Sequence, residues 1–299
     1  DAVVYQNMVS SSIVGTGRND KLSNLNTVTV GLEIEPLKNF QVGLSASYFT
    51  ISSASETFNI DYFKLKNDLP SDEIKSSLKQ SDIELSFLYT PKRKTSGYGV
   101  QRLTMNPKEH SVFYFSFKKG IKGMLDGDFN YEKVAFMYDR PWNIGGIGRT
   151  FSSLEMGKTL GTVPLSLLNP IPGNQTYFSI DKTFILMDYY EFISDTYVAL
   201  HLYHDFGGRI FSRIPGVRSL NLREVLRFRG VYGTISENNI NINASDIIYR
   251  APEDVYWEWS VGVGNIFRFL RVDLNFRGNY RDDPGARKMG VTGMIDIAF

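Results

Sequence analysis

Residues 255–277 read VYWEWSVGVGNIFRFLRVDLNFR, and this stretch decides the fold. Val255, Trp257, Trp259, Val261 and Val263 alternate with Tyr256, Glu258, Ser260, Gly262 and Gly264. After a tight turn at 264–267, Leu270, Val272, Leu274 and Phe276 alternate with Arg271, Asp273, Asn275 and Arg277. Successive side chains of a strand point to opposite faces, so each segment has one apolar face and one polar or charged face.

The same alternation recurs outward in both directions. Downstream, Val291, Gly293, Ile295, Ile297 and Phe299 oppose Thr292, Met294, Asp296 and Ala298. Upstream, Leu222, Leu226 and Phe228 oppose Arg223, Arg227 and Arg229, and Val198, Leu200 and Leu202 form an earlier face. Val134, Phe136 and Tyr138, then Phe113, Phe115 and Phe117, then Ile83, Leu85, Phe87 and Tyr89 continue it. Phe40 to Tyr48 and Val28 to Ile34 follow, and a weak first strand falls near 2–14. About twelve strands result. Their lengths approach the 9–11 residues of a tilted membrane-spanning strand, and nothing in the pattern supplies a second layer to cover so many apolar faces.

Composition agrees. No run approaches the ~18 apolar residues of a membrane helix, and the mean hydropathy of -0.20 suits strands that are only half apolar. Aromatic residues reach 14% of the chain, a bias that aromatic girdles of a membrane barrel explain. With no cysteine, thiolate metal sites and thiol catalysis are excluded. A net charge of +1 gives no footprint for a nucleic-acid partner. The expected fold is therefore an all-β antiparallel transmembrane barrel over residues 1–299, in the bacterial outer membrane, with the lipid bilayer as partner. Twelve strands could close it, with the last strand sealing the wall.

Connection lengths fit short turns at one end and long loops at the other. Turns fall at 36–39, 140–143 and 264–267, and long loops at 53–79, 120–128, 159–193, 234–254 and 279–288. The segments 92–108 and 207–219 are long where short turns are expected. The glycines at Gly145, Gly146 and Gly148 read as wall curvature, not as a phosphate loop.

Few residues suggest chemistry. His201 and His204 have an odd spacing, hence opposite faces, and no nucleophile elbow, paired carboxylates or zinc pattern accompanies them. Neither an enzyme nor a cofactor is expected. Arg223, Arg227, Arg229, Glu258, Arg271, Asp273 and Arg277 share the polar face of adjoining strands. They would line the lumen, paired with Glu224, Glu258 or Asp296, as a salt-bridge lattice or, alternatively, an anion-selective pore. The 159–193 loop holds Pro164, Pro170, Pro172 and then Asp188, Tyr189, Tyr190, Glu191 and Phe192. An apolar loop of that length folds back into the lumen, caps it, or binds a partner. Val291, Ile295, Ile297 and Phe299 form an alternating, aromatic-ended last segment, resembling the signal that the outer-membrane assembly machinery recognises.

Residues 187–233 read MDYYEFISDTYVALHLYHDFGGRIFSRIPGVRSLNLREVLRFRGVYG. Tyr189-Tyr190-Glu191-Phe192, Asp195, His204, Ile214-Pro215 and Leu222-Arg223-Glu224 within it resemble the C-terminal barrel of a Gram-negative envelope family of unassigned function. Members of that family carry a carboxypeptidase-regulatory-like N-terminal domain. FSFKKGIKGMLDGDFNY at 115–131 is similar too. The resemblance implies a C-terminal piece of a longer protein and a barrel like the assembly barrels typified by BamA and TamA. The strands here would then be the fifth to the sixteenth of sixteen. The 159–193 loop would stand where that superfamily inserts its sixth external loop, although it lacks the usual Arg-Gly-Tyr tip. The implied roles are envelope protein assembly or translocation, or a subunit of a complex with other envelope proteins. The alternatives are a solute channel with a charged lumen and a structural docking subunit.

Overall fold

The structure, a computed structural model, describes residues 21–54, 58–66, 69–97, 103–105 and 109–295. Eleven strands form one continuous antiparallel wall. They are β1 (Ser23–Leu37), β2 (Phe40–Ser53), β5 (Ser77–Tyr89), β8 (Val112–Gly120), β9 (Tyr131–Ile144), β10 (Gly148–Leu160), β13 (Thr196–Asp205), β14 (Arg223–Thr234), β15 (Tyr256–Ile266), β16 (Leu270–Arg277) and β17 (Met289–Ile295). Three two-stranded ribbons sit in its connections: β3 (Tyr62–Lys66) with β4 (Leu69–Lys75), β6 (Lys94–Ser96) with β7 (Leu103–Met105), and β11 (Asn169–Pro170) with β12 (Ile193–Ser194).

Each wall strand pairs with its sequence neighbour in the wall, so the chain meanders. Arg229 faces Glu258 across β14 and β15, and Glu258 faces Arg277 across β15 and β16. Register is strongly fixed because a slip of one residue would swap the charged face for the apolar one. On β15, Tyr256 and Glu258 are fully buried and Ser260 is nearly so, whereas Val261 is 42% exposed. Val28, Val30 and Leu32 on β1, Leu44 on β2, Leu226 on β14 and Val291 on β17 are exposed as well. The wall turns its apolar side outward and its charged side inward, the reverse of a protein folded around an oily core in water. Outward aromatic pairs run across it, with Trp259 stacked on Phe276 at 4.5 Å and Phe113 on Tyr138 at 4.4 Å between ring centroids.

Two expectations change. The described residues hold seventeen strand segments, not twelve, because long connections fold into ribbons of their own. And no ladder joins β1 to β17 among the described residues, so the described wall is curled but not closed. The expected strand at 2–14, and Ile297 and Phe299, lie outside the described residues.

Turns and long loops alternate between the two ends as expected. Two turns are displaced: β9 continues through Pro141, so that Gly145-Gly146-Ile147 make the turn expected at 140–143, and β15 continues to Ile266, so that the turn expected at 264–267 falls at 267–269. At the first the reason is conformational. Gly145 has φ 41 and Gly148 φ 138, backbone states that glycine adopts without strain. At the long-loop end, Phe58, Ile60, Tyr62, Phe129, Leu165, Leu168, Ile242 and Tyr249 pack into one apolar cluster across four connections. Tyr62 there donates to the carbonyl of Ser77 at 3.1 Å and to Asp128 at 3.2 Å. Burial first, then the Asp128 charge, push its hydroxyl pKa up.

Candidate functional site: the plugged lumen

The connection from β10 to β13 enters the curl and occupies much of it. It is internally ordered. Ile171 donates its amide to Phe192 O at 3.0 Å, Asn174 to Phe184 O at 2.8 Å, and Phe184 to Pro172 O at 2.9 Å. Gly173 lies where a Cβ would stand 2.6 Å from Met187 O and 2.7 Å from Asp188 O, so no larger residue fits. Phe184, Met187 and Phe192 then pack against Tyr197, Ala199, Val231 and Tyr256 of the wall.

Charged residues of the wall and of the β16–β17 loop fix the plug by its backbone and by its side chains. Glu258 accepts the amides of Ile185 and Leu186, both at 2.8 Å, and the hydroxyl of Tyr256 at 2.5 Å. With no exposure to solvent, that carboxylate depends on these donors. Arg277 donates to Leu186 O at 3.1 Å and pairs with Glu191. Arg287 holds Asn174 O at 2.7 Å and Met187 O at 3.2 Å. On the opposite wall Lys182 of the plug reaches Asp139 at 3.1 Å and Glu155 at 3.4 Å. Arg227 donates to Ser179 Oγ at 2.5 Å and lies 3.8 Å from Asp273, which Arg271 Nε meets at 3.2 Å.

The residues singled out in sequence therefore separate into groups. Arg227, Arg271 and Asp273 form an ion cluster, while Glu258 and Arg277 serve the plug backbone. Arg229 is 4% exposed and stands across from Glu258, with Nη1 facing no hydrogen-bond partner. Arg223 is not in the lumen cluster: its side chain is 48% exposed at the rim, 3.8 Å from Asp205. Glu224 pairs with no arginine among the described residues; its carboxylate takes the amide of Phe211, because it begins β14 beside the 206–222 loop. Asp296 lies outside the described residues. In the plug, Tyr189 and Phe192 are buried, Glu191 reaches Arg277, and Asp188 stays exposed, 3.5 Å from Lys21. His201 borders Phe184 inside, and His204 Nδ1 meets Thr150 Oγ1 at 2.7 Å on the other face. A cavity of about 380 Å³ remains between the plug tip and the turn end, lined by Asp181, His201, Tyr203, Arg227, Arg229 and Arg271 among others.

Sequence reasoning missed the tip of the plug. Ser179 donates its amide to Gly293 O at 2.8 Å, and Gly293 donates its own to Tyr177 O at 2.7 Å. Tyr177–Ser179 thus runs parallel to β17 along the edge that faces away from β16. Asn174 shapes this tip, accepting the amide of Thr176 and donating to Phe178 O, both at 2.8 Å. Lys182, Ser179, Asp139 and Glu155 carried no periodic signal. Backbone partners leave none.

The profile described as Family of unknown function (DUF5686) C-terminal domain matches residues 6–241. The chain belongs to that family. The matched span holds β1 to β14 and the whole plug, so the DUF5686 C-terminal domain carries its own lumen filling. No curated protein matches the chain. Among solved structures it is similar to "The crystal structure of BamA from Haemophilus ducreyi lacking POTRA domains 1-3", at TM-score 0.50 and 11% identity, covering 91% of this chain and 54% of that one. "CdiB from Acinetobacter baumannii" follows at TM-score 0.40 and 11% identity, covering 91% and 49%. The chain thus spans about half the length of these structures. The BamA likeness bears on fold, and it matches an antiparallel barrel-type wall.

Proposed function

We propose that this DUF5686 C-terminal domain is an outer-membrane β-barrel wall that works in envelope protein assembly or translocation, receiving an extended client segment at the outer edge of β17. One observation carries the reading: that edge pairs with no wall strand among the described residues and is met instead by three residues of the plug. An edge of this kind offers unpaired backbone groups that an incoming strand can bond. The outward apolar face supports the membrane setting, because in water so large an apolar surface is an aggregation site, while in lipid it is ordinary solvent contact. The BamA-like fold supports the class of work by analogy. In this reading the domain guides chains and makes or breaks no covalent bond. Its partners are the bilayer, the assembly machinery that inserts it, and other envelope proteins.

Depletion in cells tests it. The expected result is loss of a subset of other barrels or surface proteins from the outer membrane. Unchanged levels of all of them would overturn the assembly role. The second reading, a solute channel, draws on the arginine-lined cavity beneath the plug. It requires conductance of the purified domain in planar bilayers, which the filled lumen disfavours.

A further inference from the structure

The 206–222 connection is one of two long segments at the end where short turns are the rule, and the function above leaves it unused. It is built, not slack. Two 3-10 turns, Phe211–Arg213 and Arg218–Leu220, are closed by the amide of Ser212 on Gly208 O at 2.9 Å and by that of Leu220 on Val217 O at 3.0 Å. Asn265 Nδ2 ties it to the neighbouring β15–β16 turn through Asn221 O at 2.7 Å. On the other side Arg209 lies beside Gly146 of the β9–β10 turn. Three turns thus form one continuous rim.

That rim has a distinct chemistry. Across 143–148, 207–222 and 265–269 it carries Arg209, Arg213, Arg218 and Arg268 and not one Asp or Glu. None of the three arginines of the long turn is in an ion pair among the described residues. Beside them stand apolar side chains that the fold leaves open: Ile210 at 50% exposure, Ile214 at 43%, Leu220 at 60% and Phe267 at 80%. The opposite end differs in sign, since the 235–255 loop holds Glu237, Asp246, Glu253 and Asp254 against Arg250 alone.

We infer that this rim is a docking surface for anionic phospholipid headgroups, with its isoleucines and Phe267 seated in the interface and its arginines on the phosphates. The inference rests on the membrane setting proposed above. Two features select lipid over a soluble partner. The exposed apolar side chains stand at the end of a wall whose outward face is apolar, and arginines in no ion pair among the described residues complement a negative leaflet, the bordering Asp205 and Glu224 being taken up by the amides of Gly207 and Phe211. Arginine forks suit phosphate oxygens, and each cation near an anionic surface strengthens attachment by about fivefold.

The chain has no cysteine, so a single one reports without background. Ile214→Cys, and in parallel Leu220→Cys, is labelled with a polarity-sensitive fluorophore. The protein is then reconstituted in vesicles of phosphatidylcholine alone or doped with phosphatidylglycerol. Ile248→Cys at the opposite end, 76% exposed, is the control. The expected result is a blue-shifted, bromolipid-quenched label at 214 and 220 that is several-fold more pronounced with phosphatidylglycerol. That gain should vanish in R209S/R213S/R218S and be absent at 248. A label that stays in water in both vesicles, or responds equally in both, overturns the inference while leaving the barrel intact, provided the heat-modifiable gel shift of an inserted barrel is present. Absence of that shift in every vesicle sinks the membrane reading itself.

Discussion

Strand β1 and strand β15 are written in the same alternation and end in opposite circumstances. On β1, Val28, Val30 and Leu32 are exposed on one face, and Thr29 and Glu33 are exposed on the other. On β15, the outward face is open at Val261, but Tyr256, Glu258 and Ser260 behind it are sealed. The difference is the plug, which packs against β13 to β15, meets β9 and β10 through Lys182 and β17 through its tip, and leaves the inner face of β1 exposed. Alternation decides which side a residue faces. What covers that side is decided by a loop some sixty residues away in sequence.

The sharpest way to break the comparison is to remove a carboxylate from each strand. Glu258→Ala leaves two plug amides and the Tyr256 hydroxyl without their acceptor in a site closed to water. It should cost about 3–5 kcal/mol, as breaking a buried charge contact does. Glu33→Ala on β1 should change stability by less than about 0.5 kcal/mol. Thermal unfolding in detergent micelles measures both, and equal costs would show that the plug does not hold as described. Next in size, Val261→Arg puts a charge on the outward face. In a bilayer it should cost about 2–4 kcal/mol near the midplane. A cost under ~0.5 kcal/mol would mean that face meets water.

The cap and the edge give smaller effects. Tyr62 keeps its proton in the folded state because burial and Asp128 oppose its ionisation. Its folded pKa lies above the unfolded value of about 10, so its contribution is whole below pH ~10. Above that the unfolded chain ionises while the folded one does not, and stability falls by at most about 1.4 kcal/mol per pH unit. Tyr62→Phe should flatten that slope in alkaline denaturation; an unchanged slope places the effect elsewhere. Ser179→Pro deletes the amide that bonds Gly293 O together with the hydroxyl that Arg227 meets, and should loosen the strap on β17 by at least ~1 kcal/mol. The Gly293 amide should then exchange about fivefold faster, and an unaltered rate would mean the strap is held from elsewhere.

Much of the wall was legible because period-two patterning leaves a mark on every strand. The pairing order, the inward charges and the end-to-end alternation of loops all follow from it. The plug's place inside was one of three readings of its length and apolar content, since nothing in the sequence marks where a loop goes. Glu258 was visible as an inward carboxylate, yet its partners are backbone amides, which any residue supplies. Arg223 misled because the same face holds both rim and lumen positions, and only the strand's end distinguishes them. Gly145 to Gly148 misled because glycine serves curvature and turns alike. The open seam of the described wall was invisible, as edge pairing depends on backbone groups common to all strands.

The smallest effect is the most discriminating for the bare side of the comparison. Val30 is 73% exposed on β1 and Val231 is 1% exposed on β14, beneath the plug. Val231→Ala opens a cavity against Phe184, Met187 and Tyr256 and should cost about 1–3 kcal/mol. Val30→Ala removes the same two methyl groups from a side chain with almost nothing packed on it, and the change should stay within about 0.5 kcal/mol. Both variants are read in one thermal series in the same detergent. If Val30→Ala proves as costly as Val231→Ala, then the outward face of β1 is covered in the folded protein. The exposure of that outward face would then be a property of the isolated chain, not of the assembled barrel.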